Sequence, residues 1–253
     1  MANYAEKLNI PCVLINTVYQ NNPENYKEYL KKFKLIAVRE SNSFNELQKI
    51  NINSLIVPDL TLYSTYNELN KRTNLIGFTD SIFKDITKIL YEKSCELTNT
   101  IYLSLYADYC ASILNPQRIN YYFDNIIYKL KKIFSSQAHQ DKLFSTPLEY
   151  KRKLASLKFL ITGRFHSVCF ALITKTPFLA IPSNTYKIEG LLYDIGLSNR
   201  LITKDQVSLI NNESNYEFTE AEIQKIDIFL VNTKNKINAL FDKIAELSCG
   251  SSN

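Results

Sequence analysis

The stretch Lys158–Leu197, KFLITGRFHSVCFALITKTPFLAIPSNTYKIEGLLYDIGL, decides the fold. It opens on an apolar run, Phe159–Thr162, turns at Gly163, and enters a helical pattern over Ser167–Thr174 that stops before Pro177. A second apolar run, Phe178–Ile181, ends at Pro182, and a further helical pattern covers Lys187–Ile195. Two buried strands joined by a helix make a βαβ unit, because parallel neighbours need a crossover that a helix supplies. The crossover is right-handed, so both strands bring their C-terminal ends to the same edge of the sheet, where open α/β sheets bind ligands. Arg164 and His166 follow the first strand, while Ser183, Asn184 and Lys187 follow the second. Both groups are predicted to face one crevice.

These residue types suit an anionic ligand. Arg164 can grip a carboxylate or phosphate through two parallel bonds, Lys187 adds a compact charge, and unpaired N–H groups at the helix start add partial positive charge. His166 can exchange a proton near neutral pH, and Gly163 lets the backbone approach a ligand closely. Each residue alone also has a structural reading: a histidine can cap or pack, an arginine can pair with a neighbouring acid, and a lysine can be solvated. Convergence at one sheet edge favours the site.

Outward from this unit, strand-like runs at Cys12–Tyr19, Leu35–Arg39, Ser54–Val57, Leu75–Thr79 and Thr100–Leu105 alternate with helical patterns. The helical patterns are Glu24–Phe33, Phe44–Ile50, Ser81–Cys95, Ile119–Phe134 and Leu148–Leu157. Strands alternating with helices of this length specify an α/β class with parallel sheets. Pro23 can open a helix, Asp80 and Ser81 can cap the next, and Thr219 with Glu222 has capping-box spacing. From Thr219 to Leu247 apolar residues recur at helical period, predicting one long amphipathic terminal helix. Leu60–Thr73 and Asn211–Tyr216 are polar and aperiodic, which suggests three units, 1–66, 67–215 and 216–253.

Composition bounds the function. At 253 residues, 45% hydrophobic, the chain can bury a sizeable core and is too apolar to be disordered. The formal charge of +5 is too small and dispersed for a nucleic-acid partner, but it suits phosphorylated substrates or peripheral contact with an anionic lipid surface. Five scattered cysteines and two histidines form no CxxC pair and no zinc-ligand spacing, so neither metal nor cofactor is expected. The N-terminus shows no basic region followed by a long apolar run, and no stretch approaches the roughly 18 apolar residues of a membrane span. A cytoplasmic protein, at most peripheral at the inner membrane face, is expected.

The ordered residues Gly163, Arg164, His166, Pro177 and Lys187, followed by Gly190 and Gly196, resemble the Gly-x-Arg-x-His element, Pro-initiated strand and downstream Lys of the polysaccharide pyruvyl transferase family. A second piece, Val38, Arg39, Ser43 and Asp59, is similar to that family's Val-Arg and Pro-Asp pattern. The resemblance implies a GT-B-like fold: two Rossmann-like lobes across a cleft, with the donor mainly on the second. It implies transfer of a pyruvyl group from phosphoenolpyruvate to a glycan hydroxyl pair in surface-polysaccharide biosynthesis, with a glycan or lipid-linked saccharide as acceptor. Arg164, His166 and Lys187 would hold the donor's carboxylate and phosphate.

The same residues could serve a glycosyltransferase that uses a CMP-linked acidic sugar, or a non-catalytic relative that binds an anionic glycan. The first lobe lacks the family's opening Gly-rich loop and is expected to be reduced, or completed by a second copy or another chain. Phe134–Thr146 lacks a clear strand. Asp59 reads equally as an acceptor-binding or base carboxylate and as a turn or cap residue after Pro58. Arg39 and Glu40 read as a structural pair at a helix entrance, Tyr106 and Asp108 as groups just outside the ligand shell, and His139 and Asp141 as solvated loop residues.

Overall fold

A computed structural model of the chain describes residues 2–68, 71–103, 140–142 and 146–249. In order these form helix α1 (Ala2–Lys7), strand β1 (Val13–Thr17), α2 (Tyr26–Leu30), β2 (Leu35–Val38), α3 (Ser41–Lys49) and β3 (Leu55–Ile56). Then follow β4 (Ile76–Ser81), α4 (Lys84–Glu96), β5 (Thr100–Leu103), β6 (Gln140–Lys142), α5 (Pro147–Ala155) and β7 (Phe159–Gly163). The chain continues through α6 (Phe165–Thr174), β8 (Phe178–Ala180), α7 (Lys187–Ile195) and α8 (Glu220–Cys249).

The strands form two parallel sheets, one ordered β1-β2-β3 and the other β6-β5-β4-β7-β8. β4 and β7 lie at the centre of the larger sheet and every residue of both is buried, which is why their sequences read as apolar runs without alternation. One face packs Leu160, Phe178 and Ile101 against Val168 and Leu172 of α6 and Leu192 of α7. The other packs Phe78, Phe159 and Ile161 against Leu90 of α4.

Local chemistry sets the helix ends. Thr146 accepts a hydrogen bond from the Glu149 N–H (3.2 Å) with Pro147 in the first turn of α5, and α7 stops at Gly196, whose φ of 77° favours glycine. The Thr219–Glu222 capping box forms as predicted, with the Glu222 N–H donating to Thr219 Oγ1 (3.2 Å) and the Thr219 N–H to Glu222 Oε2 (2.9 Å). Glu222 also takes a two-pronged ion pair from buried Arg200. From this anchor α8 runs about 45 Å without a break. Ile226 joins the core of the larger sheet, whereas Ile237 and Leu240 pack on Ala37 and Val57 of the smaller one.

Three readings change. Asp80 and Ser81 are the last residues of β4 rather than caps; Phe83 occupies the N-cap position of α4. A strand, β6, does exist between residues 134 and 146, and it includes Asp141; its polar sequence hid it, because only pairing with β5 defines it. A helix, α1, and a 3₁₀ turn at Leu60–Tyr63 occupy stretches without a readable period. The helix predicted over Ile119–Phe134, with Tyr106, Asp108 and His139, lies outside the described residues.

Candidate functional site

Gly163 ends β7 opposite Ser81 of β4. A β-carbon built on it would meet Ser81 Cβ at 2.5 Å and Cα at 3.0 Å. The glycine is therefore needed for the close approach of two strands. Next to it, Thr162 Oγ1 accepts the Arg164 N–H (3.0 Å) and lies 2.6 Å from Thr79 Oγ1. Arg164 then turns its guanidinium onto Asp80, donating from Nε at 2.9 Å and from Nη2 at 2.5 Å. The fork predicted to hold a substrate anion is thus already engaged by a largely buried carboxylate from the neighbouring strand.

The smaller sheet supplies the facing half. Arg39 follows β2 and Asp59 follows β3; Arg39 Nη1 lies 2.7 Å from Asp59 Oδ2, and Asp59 also accepts the Thr61 N–H (2.9 Å). Burial opposes the charge on Asp59, but the bonds from Arg39 and Thr61 outweigh it and hold the carboxyl below its ordinary range. Asp59 is therefore both a turn cap and half of an ion pair. The Arg39 guanidinium also stands over the Phe165 ring, 5.0 Å from its centroid, and Phe165 meets the His166 ring edge-on at 5.5 Å. The C-terminal edges of both sheets meet at this cluster.

His166 is exposed in the first turn of α6, and the partial desolvation it meets there pushes its imidazole below the ordinary value. The charges of Arg39 and Lys187 act in the same direction and Asp59 opposes them. Lys187 is likewise pushed down, first by burial and then by Arg39 and Arg164, against Glu189. No carboxylate among the described residues forms an ion pair with Lys187, whereas Arg39 and Arg164 each have one. Arg39 and Arg164 are each matched by a carboxylate, so the positive charge left without an ion-pair partner among the described residues is that of Lys187, which Glu189 opposes through its field. The start of α6 adds partial positive charge, since among the described residues no side chain caps that helix.

Ser183 and Asn184 lie beyond β8 as predicted, but they hydrogen-bond each other (3.2 Å) and, among the described residues, neither bonds to Arg164, His166 or Lys187. Arg39 and Glu40 are not a pair. Glu40 is buried and caps α3, accepting the Ser43 N–H at 3.0 and 3.1 Å and the Ser43 hydroxyl. It also fixes the contact between the sheets' flanking helices: a β-carbon on Gly190 of α7 would lie 2.7 Å from Glu40 Oε2, and Ser41 donates its N–H to Asp194 (3.0 Å). The sequence reading missed Arg39 and Asp80 as members of the cluster. Their available signal was position, since each directly follows or ends a strand at the ligand edge.

Two parallel sheets with flanking helices, a terminal helix packed on both, and a cationic cluster where their C-terminal edges meet define the GT-B architecture. The chain belongs to the polysaccharide pyruvyl transferase family, which it matches over residues 1–185. Similar solved structures include TarM, with a TM-score of 0.54 and 12% identity over 97% of this chain. An α,α-trehalose-phosphate synthase (UDP-forming) from Burkholderia vietnamiensis has a TM-score of 0.59 and 8% identity, over 98% of this chain and 71% of that one. A mutant O-GlcNAc transferase from Thermobaculum terrenum has a TM-score of 0.51 and 8% identity over 99% of this chain. The chain spans 57% of TarM and 55% of the O-GlcNAc transferase. No curated protein matches its sequence.

Proposed function

We propose that this chain transfers a pyruvyl group from phosphoenolpyruvate to two hydroxyls of a glycan or lipid-linked saccharide. The observation that carries this reading is Lys187, half-buried without an ion-pair partner among the described residues and crowded by Arg39 and Arg164. Membership of the polysaccharide pyruvyl transferase family supports it. Burial first, and then the charges of Arg39 and Arg164, depress this lysine, and a trianionic donor bound beside it would offset those cations.

In the reaction, the methylene carbon of phosphoenolpyruvate takes a proton and one acceptor hydroxyl adds to the neighbouring carbon. The bond from that carbon to the phosphate oxygen then breaks, and the second hydroxyl closes the ketal. Of the two hydroxyl protons released, one balances the proton taken by the methylene and the other leaves with phosphate. Lys187, Arg39 and the α6 N-terminus hold the carboxylate and phosphate and stabilise the departing charge. His166, neutral when the site is empty, accepts a hydroxyl proton. Donor binding raises its proton affinity, because the anion offsets the cations that depress it. Asp59 and Asp80 hold Arg39 and Arg164 in place.

Incubation with phosphoenolpyruvate and a glycan panel, followed by mass spectrometry and phosphate assay, tests this. Ketal product with equimolar phosphate is expected. Absence of ketal across the panel, with thermal stabilisation by CMP but not by phosphoenolpyruvate, would move the assignment to an acidic-sugar transferase. Glycan binding that survives Arg39→Ala and Lys187→Ala without any turnover would mark a binding protein.

A further inference from the structure

At the edge of the smaller sheet opposite the cationic cluster, a groove of about 390 Å³ opens between the turn after α2 and the turn after α3. Leu35 and Leu55, the first residues of β2 and β3, stand at this edge, whereas Arg39 and Asp59 lie beyond the other ends of those strands. Leu30, Phe33 and Ile52 give the groove apolar walls, and Lys31 and Lys34 supply its charge. Among the described residues no acidic side chain lines it.

Helix α2 continues this surface. The Lys31 N–H donates to the Lys27 carbonyl (3.2 Å), so the helical turn holds through Lys31 and residues four apart share a side. Tyr26 therefore stands one turn before Leu30, and Lys27 one turn before Lys31. Tyr26 and Tyr29 are each 48% exposed, and their rings meet edge-on with centroids 6.4 Å apart. Four lysines and two glutamates lie within residues 24–34. Glu6 takes Lys32 (2.6 Å), and Glu28 takes Lys31 (2.7 Å) in an exposed pair of the kind that contributes little. Lys27 and Lys34 have no ion-pair partner among the described residues.

A tyrosine ring has an apolar body and a polar tip, and a lysine carries a hydrated charge on an apolar stem; both suit the boundary between lipid headgroups and acyl chains. A groove with apolar walls, cationic side chains and no acid complements a molecule that is anionic at one end and hydrocarbon at the other. A phospholipid has that division; a nucleic acid or an acidic peptide does not. We propose that α2 and this groove dock on an anionic lipid surface. Tyr26 and Tyr29 sit at headgroup depth, Lys27, Lys31 and Lys34 meet lipid phosphates, and the groove takes hydrocarbon between Leu30 and Ile52. No helix among the described residues is long and apolar enough to cross a membrane, so attachment of this kind is peripheral. Docking through the strand starts leaves the opposite edge uncovered, and it stands whatever donor that edge binds.

Vesicle flotation of the full chain tests the face, using phosphatidylcholine alone and phosphatidylcholine with about 30% phosphatidylglycerol. The chain should float with the anionic vesicles, several-fold less with the neutral ones, and should be released as salt rises from about 0.1 to 0.5 M. The Lys31→Gln, Lys34→Gln double variant should bind roughly 10- to 30-fold more weakly. Lys236→Gln with Lys243→Gln on α8 removes the same net charge from another surface and should retain binding. Tyr26→Ser with Tyr29→Ser should also weaken it several-fold, and since both rings are exposed, melting within about 2 °C of wild type verifies folding. The chain has no tryptophan, so Tyr29→Trp gives a single reporter whose emission should shift to the blue on anionic vesicles.

No flotation with anionic vesicles, equal flotation with neutral ones, or equal losses in the two lysine double variants overturns the proposal. An unshifted Tyr29→Trp emission on bound vesicles does the same. A dimer in solution that Tyr26→Ser with Tyr29→Ser dissociates would assign the face to a second copy of the chain and overturn it too.

Discussion

Gly163→Ala should destabilise the protein, and the structure gives the size of the effect. The new β-carbon would sit 2.5 Å from Ser81 Cβ, 2.7 Å from Ser81 Oγ and 3.0 Å from Ser81 Cα, where ordinary contact begins near 3.4 Å. Relief requires β4 and β7 to part by roughly 1 Å at that point, and both strands are buried and hydrogen-bonded to each other. Overpacking of this kind costs about 1–3 kcal/mol, and the nearness of backbone places this case in the upper half. For a chain of this length that corresponds to roughly 5–10 °C in melting temperature, readable by circular dichroism. Ser81→Gly removes the two nearest atoms and should rescue part of the loss, at a cost of about 0.5–1 kcal/mol for a glycine within a strand. A melting temperature for Gly163→Ala within about 1 °C of wild type would refute the reasoning. So would a double variant no more stable than the sum of the single ones.

The remaining predictions concern the ion pairs, the helix contact and the candidate chemistry. The Glu222 carboxyl, held down mainly by its bonds from Arg200 and against burial, sits at about 2 instead of 4.5. Its contribution of roughly 2–3 kcal/mol is therefore fully present above pH 4.5 and lost as pH falls toward 2. Acid-unfolding curves should show that loss, and Glu222→Gln should flatten it. Gly190→Ala would press a β-carbon to 2.7 Å from Glu40 Oε2 and 2.9 Å from Glu40 Cβ. It should cost about 1–3 kcal/mol and speed proteolysis, because α7 must lift off Glu40; unchanged urea midpoints would contradict this. His166→Ala should lower kcat for phosphate release about 10²- to 10⁴-fold with little change in melting temperature, and a milder loss would remove His166 from the proton-transfer role. Lys187→Ala should raise KM for phosphoenolpyruvate more than it lowers kcat, which initial-rate kinetics at varied donor concentration will read.

Phe159–Thr162 and Phe178–Ile181 announced their strands because a strand buried on both faces needs an unbroken apolar run, which is a local property of sequence. Thr219–Glu222 announced the start of α8 for a similar reason, since a capping box spans one turn. β6 could not be read in this way. Its Gln-Asp-Lys sequence has no apolar signal, and it becomes a strand through pairing with β5 across a long sequence separation.

The candidate site divides along the same line. The sequence by itself determined that Arg164, His166 and Lys187 stand at one edge of a parallel sheet, because the βαβ crossover has a fixed hand. Only the tertiary structure decided what each one touches. Arg164 meets Asp80 from 84 positions away, and Arg39 meets Asp59 from 20. Arg39 reaches the His166 neighbourhood only because the smaller sheet packs its edge against the larger one. Periodicity and spacing report what a residue does within its own element. Which charge is neutralised and which is left for a ligand depends on side chains that folding brings together from separate elements.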